Sequence, residues 1–483
     1  MAVWVVYNML ESGVKNFDGF DYVIVGAGTA GCVLANRLSA DPDVNVLLLE
    51  AGGNDNYFWI KIPVGYLYTM GNPRTDWCFE TEKEPGLNGR RLNYPRGRTL
   101  GGCSAINGMI YMRGQARDYD QWRQLGNTGW GWDEVLPYFM KSEDQAAVPV
   151  DETHQSGGEW RVENQRLSWE VLDAFQEAAA QVGIPKTNDF NRGDNHGCGY
   201  FHVNQRTGMR WSTSRAFLKP ARNRSNLTVL THAEVDRIEL DGRKVTGLAL
   251  RLKGAPASVR VDGELILSAG SIGSPQILEL SGIGNPDVLG AHGIETVHAL
   301  PGVGENLQDH LAVMVSYDRK IPGSFIRTMR YDRLALAMLQ AHFFGTGPAT
   351  IVPAPLFAHL KSRPELAVPD IQFIIRSAPG VVHPWFPGFK TAFRDGFGIR
   401  PILLHPESRG HLRLRSADPR DTVKVFQNFF SIDSDMATLR EGVRMARRAT
   451  VQTPLDPYRG DEIDPGISAV SYTHLTLPTN REV

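Results

Sequence analysis

A chain of 483 residues, 42% hydrophobic and 22% charged, has enough apolar material for more than one large core. Its 51 Lys plus Arg against 53 Asp plus Glu leave a formal net charge of -2, which excludes an acidic disordered tail and a chain-wide basic surface for nucleic acid. The 49 glycines follow no collagen-like period, so they serve turns and close backbone approaches in a loop-rich α/β protein.

Cys32, Cys78, Cys103 and Cys198 form no Cys-x-x-Cys pair and no cluster of zinc spacing, which predicts a reducing compartment and no structural metal. No apolar run reaches the ~18 residues of a membrane span. Met1 to Asn16 carries one basic residue, Lys15, and lacks the order of a signal peptide; it reads as an extension before a domain that starts at Phe20.

From Phe20 to Val25 the apolar, β-favouring residues predict a buried strand. Gly26-Ala27-Gly28-Thr29-Ala30-Gly31 follows at once, then a helical pattern with Val33, Leu34 and Leu38, then a second buried strand from Val46 that ends at Glu50-Ala51. The glycines serve different ends. Gly26 turns the chain, Gly28 admits a pyrophosphate to the backbone, and Gly31 lets helix and strand pack closely. The helix start offers N–H groups and a positive dipole end to phosphates, and Glu50 is placed to accept from an adenosine ribose. The spacing points to a dinucleotide, FAD or NAD; Glu50 disfavours a ribose 2′-phosphate by charge repulsion. A purely structural turn is the competing reading.

The next dense motif runs from Gly97 to Gly114 and contains Arg98-Thr99-Leu100-Gly101-Gly102-Cys103 and Ile106-Asn107-Gly108-Met109. On residue chemistry alone it is a tight loop around an anion or cofactor, or a packing loop. Gly126 to Asp144 holds Trp130, Trp132, Tyr138 and Phe139 and is read as packing between domains, since no basic residues interleave as a stacking platform for nucleic acid would need. A helix is predicted from Ser168 to Val182. Short strands are predicted over Leu227 to Thr231, Val235 to Leu240, Val245 to Leu252 and Ser258 to Leu267, returning to the first domain at Ser268-Ala269-Gly270; Ser274-Pro275 then reads as a helix start. Beyond Leu311 the strands Leu311 to Tyr317, Asp370 to Ser377, Ile399 to His405 and His411 to Ser416 predict an antiparallel sheet, followed by a helix over Asp433 to Thr450 whose Arg444, Arg447 and Arg448 read as a dipole-matched solvated face.

The Gly97 to Gly114 segment resembles the first signature of the glucose-methanol-choline (GMC) oxidoreductases, and Gly270 to Gly284 resembles the second. Trp211 to Leu218 and Pro301 to His310 are similar to further landmarks, so the resemblance covers about Phe20 to about Pro465, nearest the choline dehydrogenase and alcohol dehydrogenase branch. It implies an α/β (α+β overall) architecture: a Rossmann-like FAD-binding domain interlocked with an antiparallel-sheet substrate domain. The implied boundaries are 20–310 for FAD binding, with inserted lid and substrate-domain segments around 60–95 and 130–210, then 311–465 for substrate, then a non-family tail at 466–483. The implied FAD contacts are Gly26, Gly28, Thr29, Ala30, Gly31, Glu50, Ala51, Arg98, Thr99, Leu100, Gly102, Asn107, Gly108, Met109, Val235 and Ala269. Some relatives carry a flavin-linking histidine just before the asparagine of the first signature; Ile106 stands there, which implies noncovalent FAD and leaves Cys103 as a packing residue.

The implied reaction is oxidation of a primary, preferably aliphatic, alcohol by hydride transfer to flavin N5 while a base takes the hydroxyl proton. Electrons are expected to reach a non-oxygen acceptor, a quinone or redox protein; the alternatives are an alcohol or choline oxidase using oxygen, or a choline dehydrogenase. An NAD-binding dehydrogenase without flavin and a noncatalytic FAD-binding protein stand further off. Phe343, Phe344, Phe357, Phe373, Trp385 and Phe386 are candidates for pocket or core alike. The resemblance fades after Asp456-Pro457-Tyr458-Arg459-Gly460, and Ser471 to Val483 reads as a translated adapter on a truncated frame that lacks the catalytic histidine segment, so no catalytic histidine is named and weak FAD binding and poor turnover are expected: His474 lacks its motif, and His310, His405 and His411 do not match the base. No nucleic acid, metal or transmembrane segment is expected. The expected location is cytoplasmic, with peripheral contact to the inner membrane and the oligomeric state left open.

Overall fold

The computed structural model describes residues 8–9, 15–352, 354–380 and 382–466. The readings placed on His474 and the expected tail lie outside the described residues, apart from Gly466.

The first predicted unit forms β1 (Tyr22–Val25), α1 (Thr29–Leu38) and β2 (Val46–Glu50). All five residues of β2 are buried, which fits the unbroken apolar run of a strand covered on both faces. β3 (Leu227–Thr231) pairs parallel with β2, and the sheet is completed far along the chain by β7 (Glu264–Leu267), parallel to β1, giving the order β3-β2-β1-β7. Between them β4 (Ala233–Asp241), β5 (Lys244–Leu252) and β6 (Ala255–Arg260) form an antiparallel meander. Its inner residues, Ile238, Leu248, Leu250 and Val259, pack with Val23, Val25, Leu47 and Leu49 from one face of the parallel sheet. On the other face Ile24, Val46 and Leu48 meet Cys32 and Ala35 of α1 and Phe217. The single strand expected from Ser258 to Leu267 is thus two strands in two sheets, because Asp262-Gly263 turns the chain between them. The helix α2 (Gly270–Leu280) starts ahead of the expected Ser274-Pro275, leaving Pro275 inside it, where the missing N–H frees the Ser271 carbonyl.

The second sheet has seven strands. Its main path runs Gly197–Tyr200, β9 (Leu356–Leu360), β10 (Ile371–Arg376), β11 (Gly396–Leu403), β8 (Val315–Arg319) and β12 (Arg459–Asp464), all antiparallel. Leu311–Ala312 pairs with β11 separately, so the strand expected from Leu311 to Tyr317 is broken. His411–Arg413 pairs only with Lys424–Phe426 and forms its own small ribbon. The helices Glu170–Gln181 and α3 (Asp433–Thr450) cover one face; Met436, Leu439, Val443 and Ala446 form the buried stripe of α3. Arg447 is not part of a solvated face: it pairs at 2.6 Å with Glu462 and so ties α3 to β12, while Arg444 and Arg448 pair with Glu441. The aromatic segment also differs from expectation. Trp132, Tyr119 and Phe139 pack together, but Trp130 and Tyr138 stand exposed.

A fully buried charge network joins Arg113, Glu143, His154 and Asp189. The Arg113 guanidinium meets Glu143 at 3.1 Å, and the His154 ring joins Glu143 at 3.1 Å to Asp189 at 2.9 Å. Burial alone would lower the His154 pKa, but its bonds to Asp189 and Glu143 override that and push it up to about 9. Against its own burial, Asp189 is held down at about 2 by His154 and the Asn191 N–H. The stability contributed through His154 is therefore complete below its unfolded pKa of about 6.5 and lost as pH rises through about 9; that through Asp189 is complete above about 3.8 and lost as pH falls through about 2. Replacing His154 by Leu removes the cation that bridges the two buried carboxylates, leaving Glu143 to Arg113 and Asp189 to the more exposed Arg192 at 2.9 Å, and is expected to cost about 3–5 kcal/mol in denaturant unfolding at pH 6. A loss below about 1 kcal/mol would show that the network is not charged as described.

Candidate functional site

The strand β1 ends at Gly26, whose φ of 96° suits glycine, and Ser268 Oγ donates to its carbonyl at 2.8 Å, pinning the turn to the end of β7. A Cβ on Gly31 would lie 1.9 Å from the Gly26 oxygen, so α1 can approach the turn only with glycine there. The N-cap of α1, Gly28, has no side-chain bond to the first turn, and no acid lies in that turn. Its leading N–H groups are therefore presented to whatever occupies the space in front of them.

The second glycine-rich segment lies directly on this turn. Gly101 N donates to Ala27 O at 2.8 Å, Leu100 N donates to Gly53 O at 3.0 Å, and a Cβ on Gly102 would sit 2.8 Å from Gly28 Cα. Glu50 is buried beneath the same junction, its two carboxylate oxygens accepting from Ala27 N at 2.9 Å and Gly52 N at 2.8 Å. Burial raises its pKa to about 7 even though both N–H donors favour the charged form.

One cavity opens at the junction and a second adjoins it. The smaller, about 550 Å³, is lined by Gly26, Gly28, Thr29, Ala30, Glu50, Ala51, Gly102, Val235 and Ala269, nine of the residues marked from the sequence. The larger, about 860 Å³, shares Phe79 and Arg96 with it and extends along the second sheet. The remaining marked residues line neither cavity. Gly31 serves the packing of α1; Thr99 Oγ1 donates to Gly53 O at 3.2 Å, and Leu100 is buried. Arg98 pairs with Glu234 at 3.1 Å and lies over the Trp77 ring. Asn107 Oδ1 accepts from Met109 N at 3.0 Å and from Arg210 at 2.9 Å, with Gly108 between them and Met109 at a φ of 60°. Cys103, expected to pack, is exposed on the wall of the smaller cavity and accepts from Gly97 N at 3.4 Å.

Several of these features carry no sequence signal. Arg210 is fully buried and also donates to Ile60 O and Ser104 O, fixing the loop that carries Asn107; burial, then Arg215, lower its pKa to about 9. Nothing in its local spacing separates it from a surface arginine. The six aromatic candidates for the pocket do not line it: Phe343, Phe344 and Phe386 are exposed, Phe357 and Phe373 are core, and Trp385 packs against the core. Tyr68, Trp169, Phe325 and Phe429 supply the aromatic wall instead, and His310 lines it too, its pKa lowered by burial. Among the described residues no cluster of metal-ligating side chains occurs, and no helix is long and apolar enough to cross a membrane.

A glycine cradle that any Cβ would fill, uncapped N–H groups at a helix start and a buried carboxylate behind them fit the diphosphate and ribose of FAD. Comparison with known proteins agrees. Residues 20–312 and 406–480 match the GMC oxidoreductase family, the second match running past Pro465. Proteins named oxygen-dependent choline dehydrogenase from Photobacterium profundum and Klebsiella pneumoniae are 38% and 39% identical, each over 94% of this chain and over 79% and 83% of their own lengths. Pyridoxine 4-oxidase from Mesorbium loti is 31% identical with a TM-score of 0.83, covering 95% of this chain and 85% of its own. An R554K variant of formate oxidase from Aspergillus oryzae is 25% identical with a TM-score of 0.84, covering 95% and 85%. These relatives are named as oxidases or as oxygen-dependent, which overturns the expectation of a non-oxygen electron acceptor. From its motifs, its fold and these matches, the chain belongs to the GMC oxidoreductase family as an FAD-dependent oxidoreductase of the choline-dehydrogenase-like branch, with its flavin held noncovalently.

Proposed function

We propose that the protein oxidises an alcohol and passes the electrons to molecular oxygen. The observation that carries this reading is the join between the two glycine-rich segments, Gly101 N to Ala27 O at 2.8 Å, with a cavity at the dinucleotide turn that meets, at Phe79 and Arg96, a second cavity extending to the second sheet. Oxygen as acceptor is supported by the oxygen-dependent and oxidase relatives. Bound FAD supplies the hydride acceptor for the alcohol carbon. The chain's own residues hold and orient. The N–H groups of Thr29, Ala30 and Gly31 face the diphosphate, Glu50 accepts from the ribose hydroxyls, and Val235 and Ala269 border the adenine end. Arg98, Thr99, Leu100 and Gly102, with Asn107, Gly108 and Met109 braced by Arg210, shape the flavin end. Phe79 and Arg96 stand where the two cavities meet, and the apolar wall of the larger one keeps water from the reacting carbon. We place the FAD-binding region over 20–310 and the substrate region over 311–465, with Gly197–Tyr200 crossing from the former into the sheet of the latter.

The decisive experiment compares electron acceptors. With a primary alcohol in air, peroxide is expected at one equivalent per alcohol consumed; dye reduction without peroxide would overturn the reading. Glu50 gives a second test. Ribose hydroxyls donate to its charged form, so binding FAD lowers a pKa that burial has raised to about 7, and a proton is released. FAD affinity is expected to strengthen by about ten-fold from pH 5.5 to pH 8 and to lose that dependence in Glu50→Gln; a pH-independent wild type would exclude the ribose contact. With Ile106 at the linking position, acid precipitation is expected to release all flavin into the supernatant, and flavin retained on the pellet would contradict noncovalent binding.

A further inference from the structure

We propose that the larger cavity selects an alcohol that also carries an anionic group, a carboxylate or a phosphate monoester, held by Arg400 and Arg376. The inference rests on the reading of that cavity as the alcohol site and adds the class of alcohol. Strand alternation sets it up. On β10 and β11 the residues Ile371, Phe373, Ile375, Phe397 and Ile399 face the helices and are core. The opposite parity carries Arg376, paired with Gly398, and Arg400, paired with Ile374, so the two arginines sit on one diagonal of the cavity-facing side. Both line the larger cavity.

Arg400 has no hydrogen-bond acceptor and no carboxylate partner among the described residues, and the charge acting on it is that of Arg376, of like sign. Burial first, then Arg376, pull its pKa down to about 10, which still leaves it a cation at neutral pH. The acids on the same wall are committed elsewhere: Asp76 accepts from the N–H groups of Gly71, Cys78 and Arg96, Asp309 pairs with Arg96 and accepts from His310 N, and Glu80 is exposed. A half-buried guanidinium without a counter-charge is unfavourable, and its planar fork matches a carboxylate or phosphate bidentately. Opposite it, Phe325, Met329, Leu334 and Ile351 give the cavity an apolar body for a hydrocarbon spacer. A quaternary ammonium such as choline would meet the like charge of Arg400 there, so the substrate differs in charge from the one named in the curated relatives.

The test uses ligands that cannot be oxidised, so that binding is read apart from turnover. The FAD-loaded full chain is titrated calorimetrically with pentanoate, pentyl phosphate, pentanamide and pentyltrimethylammonium. Either anion is expected to bind about ten-fold or more tighter than the amide, and the cation more weakly still; which anion wins identifies the substrate group. The preference should vanish in Arg400→Met and survive in part in Arg400→Lys. An amide as tight as both anions, or a tighter cation, overturns the proposal, and that wild-type comparison stands even if a variant fails to fold. Peroxide formation from 1-pentanol and 5-hydroxypentanoate separates the two readings. Anion preference without peroxide from either alcohol retains the site and rejects the oxidase; peroxide without anion preference does the reverse.

Discussion

The structure depends on one contact: the backbone of the Gly97 to Gly114 segment hydrogen-bonded to the backbone of the turn after β1. Gly101 N to Ala27 O and Leu100 N to Gly53 O bring segments distant in the chain into van der Waals contact, and glycine at position 102 is what permits it, since a Cβ there would lie 2.8 Å from Gly28 Cα. Everything around the cleft is arranged to hold that contact. Ser268 fastens the turn to β7, Glu50 gathers the N–H groups of Ala27 and Gly52, and Arg210 fixes the loop on the far side by its bond to Asn107. A buried carboxylate and a buried guanidinium are both unfavourable in isolation. Here each is surrounded by backbone partners.

The parallel sheet and its first turn were legible because their signals are local. An apolar run, three glycines at fixed spacing, a helical pattern and a terminal acid occur within about thirty residues, and the structure follows them closely. The helix Asp433–Thr450 was legible for the same reason, its apolar stripe and end charges being written along one segment. What the sequence hid is what needs distant partners. The break between β6 and β7 depends on which sheet each half joins, the exposure of Trp130 depends on what fails to cover it, and the salt bridge of Arg447 depends on a carboxylate brought in by another strand. Arg210, Arg376 and Arg400 look in sequence like any surface arginine. The burial of Arg210 and the cavity position of the other two are properties of the assembled fold.

The two ends of the cleft consequently differ in kind. The dinucleotide end is built mainly from backbone and glycine, so its chemistry is specified by spacing. The substrate end is built from side chains on a sheet face, where exchanging one residue for another changes charge without disturbing register. That division explains how a chain can share over a third of its residues with oxygen-dependent choline dehydrogenases and still carry its own charges on that face.

The closeness of the two glycine segments around one dinucleotide is reported most directly by Gly102. Flavin content of purified Gly102→Ala, with folding checked by circular dichroism, is the measurement. Its Cβ would meet Gly28 Cα at 2.8 Å at a φ of 52°, so the expected result is a folded chain with flavin content well below the wild type's one per chain. A folded variant retaining full flavin would contradict that closeness as the basis of the site.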